Sequence, residues 1–331
     1  QSYIMNRKVS VAPMMDCTDR HERYFLRLLS KNVMLYTEMV ATKSALHGDR
    51  KKILGFNEIE KPLGLQVGGS DKKELALVCK IAEDLGYNEV NINLGCPSKK
   101  VQKNKFGACL IKEPDLVAEC INEMVNSCNI PITAKTRIGF DKVENFDYLN
   151  SFINKISKAG CKTIILHARK AILKGLTPKE NLKIPKLNYP LVYQIKKENK
   201  DLEIIINGGI TNVSEIKNHL INCDGVMIGR AIYQNPYFLA EIEKKIFSNL
   251  NVLSRSEVAE KLVAYVKDEV KKGTRVNQIM RHTVGLYYGQ SGANKWKRYL
   301  SDNMMARDSD FQKVNHIMTI AQNNEKANQA T

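Results

Sequence analysis

Residues 203–230, EIIINGGITNVSEIKNHLINCDGVMIGR, contain two short apolar runs separated by a segment with a helical pattern. The runs at 203–206 and 225–228 are continuously hydrophobic, which is typical of parallel strands buried on both faces. The segment between them, residues 213–221, carries apolar residues at helical spacing. This stretch therefore predicts one strand–helix–strand unit.

The same unit repeats along most of the chain. Eight apolar runs are found, at residues 9–14, 33–36, 62–67, 89–94, 132–136, 163–167, 203–206 and 225–228. Eight strand–helix units within about 240 residues favour a closed (β/α)₈ TIM barrel over an open doubly wound sheet. An open sheet would also carry a glycine-rich fingerprint after its first strand, where this chain has Ala12-Pro13-Met14-Met15.

A second region begins near Ser254. Ser254 and Glu257 have the spacing of a capping box, and the helix that follows is predicted to stop at Gly273. Three further helical stretches, near 277–288, 293–303 and 309–322, indicate a small all-α bundle with a frayed tail. We therefore expect a barrel over residues 1–250 and a helical domain over 251–331.

The composition indicates a basic, reduced protein. Lys and Arg total 51 against 35 Asp and Glu, a formal charge of +16 in 331 residues, and such an excess attracts polyanions such as nucleic acid. The eight cysteines form no CxxC pair, which favours a reducing cytoplasm over disulfides or a metal site. No signal peptide and no membrane-length apolar run are visible. We expect a cytoplasmic monomer that binds neither membrane nor metal.

The positive charge is concentrated in three windows that contain no Asp or Glu. Residues 96–112 hold five lysines, residues 155–179 hold seven cations, and residues 270–301 hold seven. The last window also contains Tyr287, Tyr288, Trp296 and Tyr299, which either stack on bases or pack internally. Because a general lysine bias would not remove the acids from these windows, we interpret them as a surface for a polyanion.

Polar residues also collect where the predicted strands end, which is where barrels place their active sites. These residues are Glu38, Gln66, Asn93, Cys96, Lys135, Arg137, His167 and Arg169, followed by Asn207-Gly208-Gly209 and Gly229-Arg230. Glycines in the loops after the last two strands are typical of a phosphate site, because backbone N–H groups can approach the anion.

Lys135 and Cys96 are the two candidates with the most specific chemistry. Lys135 lies on a strand buried on both faces, so its charge needs either an internal carboxylate or an anionic cofactor group such as the edge of a reduced flavin. Cys96 lies in a loop, where a thiol can donate a proton, although most single cysteines are inert. His167 is equally compatible with a core residue and a ligand.

With these residues in view, the chain resembles the tRNA-dihydrouridine synthases, and among them the A-type branch. The resemblance rests on VAPMMD at 11–16, NINLGCPS at 91–98, KTRIG at 135–139, HARKA at 167–171, GLTPKEN at 175–181, INGGI at 206–210 and DGVMIGR at 224–230. One departure is Cys17, where that branch usually has Trp.

The resemblance implies FMN in the barrel mouth, NADPH as reductant and tRNA as substrate. It implies that Cys96 protonates C5 of a flipped-out uracil at position 20 or 20a, while Asn93 helps to hold the base. The implied flavin contacts are Pro13, Met14 and Met15 to the ring, Gln66, Lys135 and His167 to its polar edges, and Asn207, Gly208, Gly209, Gly229 and Arg230 to the phosphate. The expected tRNA contacts are Arg137, Arg169, Lys170, Lys179, Lys295, Lys297 and Arg298.

Two alternatives remain open at this stage. A flavin barrel that reduces a small molecule would share the phosphate loops and Lys135, but would not explain the acid-free windows. A non-catalytic RNA-binding barrel would explain the charge, but not the gathering of Cys96, Lys135 and His167 at strand ends. Bound flavin argues against the second alternative, and steeply salt-dependent tRNA affinity argues against the first.

Overall fold

The computed structural model describes residues 5–304 and 311–330. Within these residues the strands are β1 Val9–Val11, β2 Leu35–Tyr36, β3 Val40–Ala41, β4 Leu63–Gly68, β5 Glu89–Leu94, β6 Ile132–Arg137, β7 Thr163–His167, β8 Glu203–Asn207 and β9 Gly225–Ile228. The α-helices are α1 Arg20–Leu29, α2 Thr42–His47, α3 Arg50–Leu54, α4 Lys72–Leu85, α5 Lys99–Lys103, α6 Pro114–Ser127, α7 Phe146–Lys158, α8 Tyr189–Glu198, α9 Val213–Asn222, α10 Arg230–Gln234, α11 Phe238–Ile246, α12 Arg255–Lys271, α13 Val276–Met280, α14 Ala293–Met304 and α15 Phe311–Gln329. Short 3₁₀ helices occur at Glu58–Glu60, Gly107–Lys112, Glu180–Leu182 and Arg281–Thr283.

The strands form one parallel sheet in the order β1-β9-β8-β7-β6-β5-β4-β2, with the short β3 added beside β4. The sheet closes between β1 and Met34, the residue before β2: Met34 N donates to Val9 O at 3.1 Å, and Val11 N donates to Met34 O at 2.9 Å. This confirms the predicted (β/α)₈ barrel. The pair β3–β4 was not predicted, because two residues are too few to show a pattern.

The interior of the barrel is apolar on one side and polar on the other. Side chains alternate along a strand, so every second residue points inward. Strands β2, β7, β8 and β9, with Ala12 just after β1 and Met34 just before β2, form a buried apolar cluster of Ala12, Met34, Tyr36, Ile165, Ile205 and Met227. Strands β4, β5 and β6 instead bury the polar residues Gln66, Asn91 and Thr133. The helices cover the outside with amphipathic faces, as α4 does by burying Leu75, Val78, Cys79 and Ala82.

Contacts divide the chain into two compact units. The barrel unit comprises the residues up to Met15 together with Val33–Ile228, and the helical unit comprises Asp16–Asn32 with the described residues from Gly229 onward. This division follows contacts only, so the expected functional boundary at residue 250 stays a prediction. Among the described residues, no helix has both the length and the apolarity needed to cross a membrane.

Helix α1 is fastened within the helical unit at both of its ends. At its start, Asp19 caps the helix by accepting from His21 N and Glu22 N. The same carboxylate binds His282 Nε2 at 2.9 Å and Arg281 Nη2 at 2.9 Å. Burial raises the pKa of Asp19, but His282, the Glu22 N–H and His21 together outweigh it and lower the pKa to about 2.

At the other end of α1, the buried carboxylate of Glu243 binds the chain just after the helix. It accepts from the Ser30 hydroxyl and, at 2.8 Å, from Asn32 N. The helix therefore belongs to the helical unit, although its position in the sequence is that of the first barrel helix.

The C-terminal helices follow the predicted pattern with two differences. The capping box is present, since Glu257 N donates to Ser254 Oγ and Ser254 N donates to Glu257 Oε2. The stretch 277–288 is not one helix: α13 ends at Met280, and Gly285 lies so close to Gln234 that a Cβ there would be 2.1 Å from its carbonyl oxygen.

The last helix extends past the predicted end at Gln322 to Gln329. Two asparagines hold this extension, because Asn328 Oδ1 accepts from Ser291 N at 2.9 Å and Asn324 Nδ2 donates to Gly292 O at 3.3 Å. The predicted start of this helix at residue 309 lies outside the described residues.

Candidate active site at the mouth of the barrel

Five of the predicted site residues lie near the carboxyl ends of consecutive strands. They are Gln66 on β4, Asn93 on β5, Lys135 on β6, His167 on β7 and Asn207 on β8. Asn93 is directly opposite Lys135, and His167 is directly opposite Asn207. Because residues opposite each other in a parallel sheet point to the same face, these polar groups converge at one end of the barrel.

Lys135 carries a charge that no acid compensates. Within the described part of the chain, its ammonium makes no ion pair and no hydrogen bond. Burial, the larger cause, and the neighbouring charge of Arg137 together lower the pKa of Lys135 to about 8, while Cys96 acts in the opposite direction. The internal carboxylate that the sequence left open as a partner for Lys135 is therefore absent from the described residues.

Cys96 is partly exposed, and its loop is held on both sides of the thiol. Asn93 Oδ1 accepts from Gly95 N at 3.1 Å and from Cys96 N at 3.0 Å. Ala108 N donates to Cys96 O at 2.9 Å, and Arg137 Nε donates to Gly95 O at 3.0 Å. With its own N–H and C=O both bound, the backbone of Cys96 is fixed although the residue lies outside any helix or strand.

Arg137 ties the loop after β5 to the loop after β7. It is 3% exposed, and besides Gly95 O its guanidinium binds Lys170 O at 3.2 Å and Asn181 O at 3.1 Å. Burial lowers the pKa of Arg137 to about 10, with Cys96 opposing this effect and Arg169 adding to it. Since much of its donor capacity is used inside the protein, its predicted contact with tRNA stays a prediction.

Asn181 is a residue that the sequence did not single out by its chemistry. It is fully buried, its Oδ1 accepts from Ile172 N at 2.7 Å, and its Nδ2 donates to Ile172 O at 3.0 Å. It thereby folds the long loop after β7 onto Arg137. The sequence pointed to Asn181 only as part of the motif GLTPKEN. A single polar residue in a loop belongs to no helical or strand periodicity that would predict its role.

The loop after β8 requires its two glycines. Gly208 and Gly209 have φ of +119° and +70°, which residues with a Cβ rarely adopt. A Cβ on Gly208 would lie 2.9 Å from Cδ2 of His167, so the histidine ring rests directly on the glycine backbone. Tyr189 holds the loop by donating its hydroxyl to Gly208 O at 2.6 Å. The side chain of Asn207 faces the next strand and donates to Met227 O at 2.9 Å.

The remaining predicted flavin contacts lie at the ends of β1 and β9. Met14 packs on the apolar cluster inside the barrel, whereas Met15 is 56% exposed. Gly229 follows β9 directly and precedes α10, which begins at Arg230. Pro13 lies between Ala12 and Met14 and is partly buried.

The cations of the first two windows are mostly exposed and without acidic neighbours. Lys99, Lys100, Lys103, Lys105, Lys174 and Lys179 are exposed, and none makes an ion pair with any described residue. Lys112 pairs with Asp141 at 3.4 Å, and Lys170 pairs with Glu144 at 3.9 Å. Arg169 donates to the Pro185 carbonyl.

In the window on the helical unit, the charges on α14 are outside and two of the four large aromatic rings are inside. Lys295, Lys297 and Arg298 are exposed on α14, where Arg298 pairs with Asp302 at 3.6 Å. Trp296 is fully buried and donates its indole N–H to Thr283 O at 2.8 Å. Tyr287 packs against it, while Tyr288 is 54% exposed. Of the two alternatives for these rings, Trp296 and Tyr287 therefore pack internally.

A parallel barrel with a polar, cation-bearing mouth defines a TIM-barrel enzyme, and comparison with known proteins specifies its kind. The family model described as "Dihydrouridine synthase (Dus)" matches residues 10–324, so the chain belongs to the dihydrouridine synthase family. These enzymes reduce uridine to dihydrouridine in tRNA, and they are in general flavin-dependent and reduced by NADPH.

Curated relatives agree with this assignment and narrow it to one branch. The chain is 50% identical to the tRNA-dihydrouridine(20/20a) synthase of Shewanella oneidensis over 300 residues, which covers 90% of this chain and 89% of that enzyme. It is 48% identical to the enzyme of the same name from Synechocystis sp., over 90% of this chain and 89% of the relative. For that of Escherichia coli K12 the identity is 47%, over 95% and 91%. The resemblance drawn from the motifs is confirmed, and family membership decides against both alternatives.

Proposed function

We propose that this chain reduces the C5=C6 bond of uridines 20 and 20a in tRNA, with FMN in the barrel mouth and NADPH as reductant. The observation that carries the proposal is the partly buried cation of Lys135, which has no acidic partner among the described residues and lies beside Cys96. A barrel that served only to bind RNA would have no reason to keep an uncompensated charge beside a thiol whose backbone is clamped.

The residues at the mouth fit a flavin. Lys135 supplies a positive charge for the N1–C2=O edge, and Gln66 and His167 supply polar groups for the other edges. Gly208 is partly exposed and Gly209 exposed, and neither carries a side chain, which suits the close approach of a phosphate to the backbone. Gly229 and Arg230 complete the proposed set of phosphate contacts, and Pro13, Met14 and Met15 are proposed to contact the ring. FMN, when bound, supplies the hydride that reduces C6 of the uracil.

Cys96 holds the proton that C5 requires. The proton donor must lie over one face of the base. The hydrogen bonds of the Cys96 N–H and C=O fix the backbone from which the thiol projects. Asn93, which orients that backbone, is also proposed to contact the uracil. The exposed cations Lys179, Lys295, Lys297 and Arg298, the partly buried Arg169 and Lys170, and Arg137 are proposed to bind tRNA phosphates.

The test is the position-resolved appearance of dihydrouridine in unmodified tRNA treated with the purified protein and NADPH. We expect product at positions 20 and 20a, and a yellow protein with flavin absorbance. Cys96→Ala should lower turnover by roughly 10²–10⁴-fold, the usual contribution of a general acid, while FMN content and tRNA affinity stay unchanged.

Cys109→Ala is the matched control, because Cys109 is also partly exposed but donates its thiol to Phe106 O at 3.1 Å. It should leave turnover intact. Product at other positions, or none, would refute the proposed function. Full activity of Cys96→Ala would refute only the role of the thiol.

A further inference from the structure

A chain of hydrogen-bonded polar side chains runs from the candidate active site down into the barrel interior. Glu89, Asn91 and Asn93 occupy alternate positions of β5 and therefore share one face of the strand. Asn91 is opposite Gln66 on β4 and opposite Thr133 on β6. All but Asn93 are at most 1% exposed, so bulk solvent does not reach them.

Four hydrogen bonds connect these side chains in sequence. Asn93 Nδ2 donates to Gln66 Oε1 at 3.0 Å, Gln66 Nε2 to Asn91 Oδ1 at 2.9 Å, Asn91 Nδ2 to Thr133 Oγ1 at 2.9 Å, and Thr133 Oγ1 to Glu89 Oε2 at 2.5 Å. We call this set the interior chain.

The interior chain ends at Glu89, whose carboxylate can only accept hydrogen bonds. Glu89 forms an ion pair with Arg7, whose Nε lies 2.8 Å from Oε1, and Tyr36 donates its hydroxyl to Oε2 at 2.9 Å. A carboxylate in an ion pair only accepts, so the Thr133 hydroxyl must donate to it. Thr133 can then only accept from the next residue, which must present an amide nitrogen.

The barrel makes room for this arrangement at Gly64. A Cβ at this position would lie 2.6 Å from Cε1 of Tyr36 and 2.9 Å from Cγ of Glu89. The glycine therefore lets a tyrosine and a glutamate lie side by side inside the barrel.

At the other end of the interior chain, Asn93 requires the same direction of hydrogen bonding, with each donor pointing toward Glu89. Asn93 Oδ1 accepts two backbone N–H groups, those of Gly95 and Cys96, so its nitrogen must face Gln66. Turning any one amide by 180° would set two acceptors or two donors against each other. Every donor thus points from the Cys96 N–H toward the Glu89 carboxylate, and bonds aligned in this way polarise one another.

This direction determines what Asn93 can offer to a ligand. Both lone pairs of its oxygen are occupied, and one of its two N–H bonds goes to Gln66. The remaining capacity of this partly exposed side chain is a single N–H donor. A base held by Asn93 must therefore present a carbonyl oxygen to it.

We propose that Glu89 is a positioning residue, which acts through the interior chain to fix the orientation of Asn93 and the backbone of Cys96 for turnover. The effect on turnover rests on the proposed function, whereas the effect on the Cys96 amide does not. Glu89 itself lies four strand positions below Asn93 and touches no predicted ligand contact.

The experiment follows the Cys96 backbone amide in full-length protein labelled with [¹⁵N]cysteine. The eight cysteines give at most eight amide signals, and the one lost in Cys96→Ala belongs to Cys96. Glu89→Gln removes the negative charge. Thr133→Val removes the hydroxyl that links Glu89 to Asn91. Both should move the Cys96 amide proton upfield, because its hydrogen bond to Asn93 becomes weaker.

Two further variants separate this effect from general damage. Glu203→Gln is the matched control: Glu203 also pairs with Arg7, at 2.9 Å, and accepts from the Thr163 hydroxyl at 2.9 Å, but it is not part of the interior chain. It should leave the Cys96 signal in place. Thr133→Ser keeps the hydroxyl, so its Cys96 amide should have the wild-type chemical shift. If Glu89→Gln does not fold, the comparison of Thr133→Val with Thr133→Ser tests the proposal.

Kinetics give the second readout. In Glu89→Gln and Thr133→Val, kcat should fall about tenfold, the effect of one charge-assisted hydrogen bond, while KM for tRNA stays unchanged. An unmoved Cys96 amide in both variants would overturn the proposal, and so would a shifted amide with wild-type kcat. If the wild-type protein made no dihydrouridine, the proposed function would fail, and the amide shifts would still decide whether the interior chain is polarised.

Discussion

Lys135 stands in the barrel mouth as a cation without a counterion among the described residues. Burial destabilises the charged form of such a group, and the pKa of Lys135 is accordingly lowered to about 8. Arg137 beside it adds to the cost, so the local environment favours any ligand that brings negative charge. The affinity for that ligand must therefore depend on whether Lys135 is protonated.

The pH dependence of FMN binding follows from this linkage. The pKa of Lys135 is about 8 in the free protein, and a flavin edge that accepts from the ammonium must raise it. FMN affinity should be constant below pH 8 and then weaken by up to tenfold per pH unit until the pKa of the complex is reached. Flavin fluorescence titrations of the apoprotein between pH 6.5 and 9.5 measure this.

Lys135→Arg provides the control, because a guanidinium stays charged over this range. Its FMN affinity should lose the decline above pH 8. An unchanged decline in Lys135→Arg would show that another group is responsible.

Single residues differed in how well the sequence could identify them. Lys135, Cys96 and His167 could be found because each is a polar residue at the end of an apolar run. Asn181 could not, because its partners Arg137 and Ile172 are brought to it only by the folded loop. Thr133 was also missed, because a threonine inside a strand looks like an ordinary β-branched residue.

The loop after β8 shows how an element constrains its neighbours. Gly208 and Gly209 both have positive φ, and the ring of His167 packs so close to Gly208 that a Cβ there would lie 2.9 Å from His167 Cδ2. This loop can therefore accept no side chain at Gly208 without moving a predicted flavin contact. The long loop after β7 has a glycine of similar conformation in open space: Gly175 has φ of +92°, and nothing lies within 4 Å of an added Cβ.

These two glycines allow steric collision to be separated from backbone strain. Gly175→Ala should cost only the strain, about 1 kcal/mol of unfolding free energy, and should keep FMN affinity. Gly208→Ala should cost about 2–3 kcal/mol and weaken FMN binding, because His167 and Leu187 must also shift. Urea unfolding and flavin titration of both variants test this, and equal behaviour of the two would contradict it.

The regular elements were the most predictable part of the molecule. Continuous apolar runs located all eight strands of the barrel, because a parallel sheet buries both of its faces. The same rule hid the interior chain, since Glu89, Asn91 and Asn93 alternate with apolar residues within one of those runs. The break after α13 and the extension of α15 depend on Gly285 and Asn328, whose contacts are distant in sequence.

The chain as a whole carries an excess of positive charge that its own acids do not neutralise. Its formal charge is +16, and many cations of the acid-free windows are exposed without an acidic partner among the described residues. Such a distribution binds a polyanion chiefly through release of its counterions, so affinity must fall steeply with salt.

The charges on α14 can be tested as a group. Replacing Lys295, Lys297 and Arg298 by Gln should weaken tRNA binding and lower the slope of log affinity against log salt by about 2, since each lost phosphate contact removes roughly 0.7–0.9. Flavin absorbance should be unchanged. Filter binding at several salt concentrations measures both the tRNA affinity and the slope of its logarithm against log salt.

The matched control removes three exposed lysines from α3 and α4, outside the windows: Lys51, Lys73 and Lys80. It changes the net charge equally but should leave the salt slope near the wild-type value. Equal losses in the two triple variants would mean that net charge alone, and not α14, determines affinity.

The fastening of α1 restricts how this protein can be divided or recombined. The chain enters the helical unit at Asp16, returns to the barrel at Val33 and leaves it again at Gly229. A truncation at residue 250 would remove His282 and Arg281 and leave the Asp19 carboxylate without either side-chain donor. The C-terminal helices are therefore not an exchangeable module, and any graft between relatives has to carry residues 16–32 along with them.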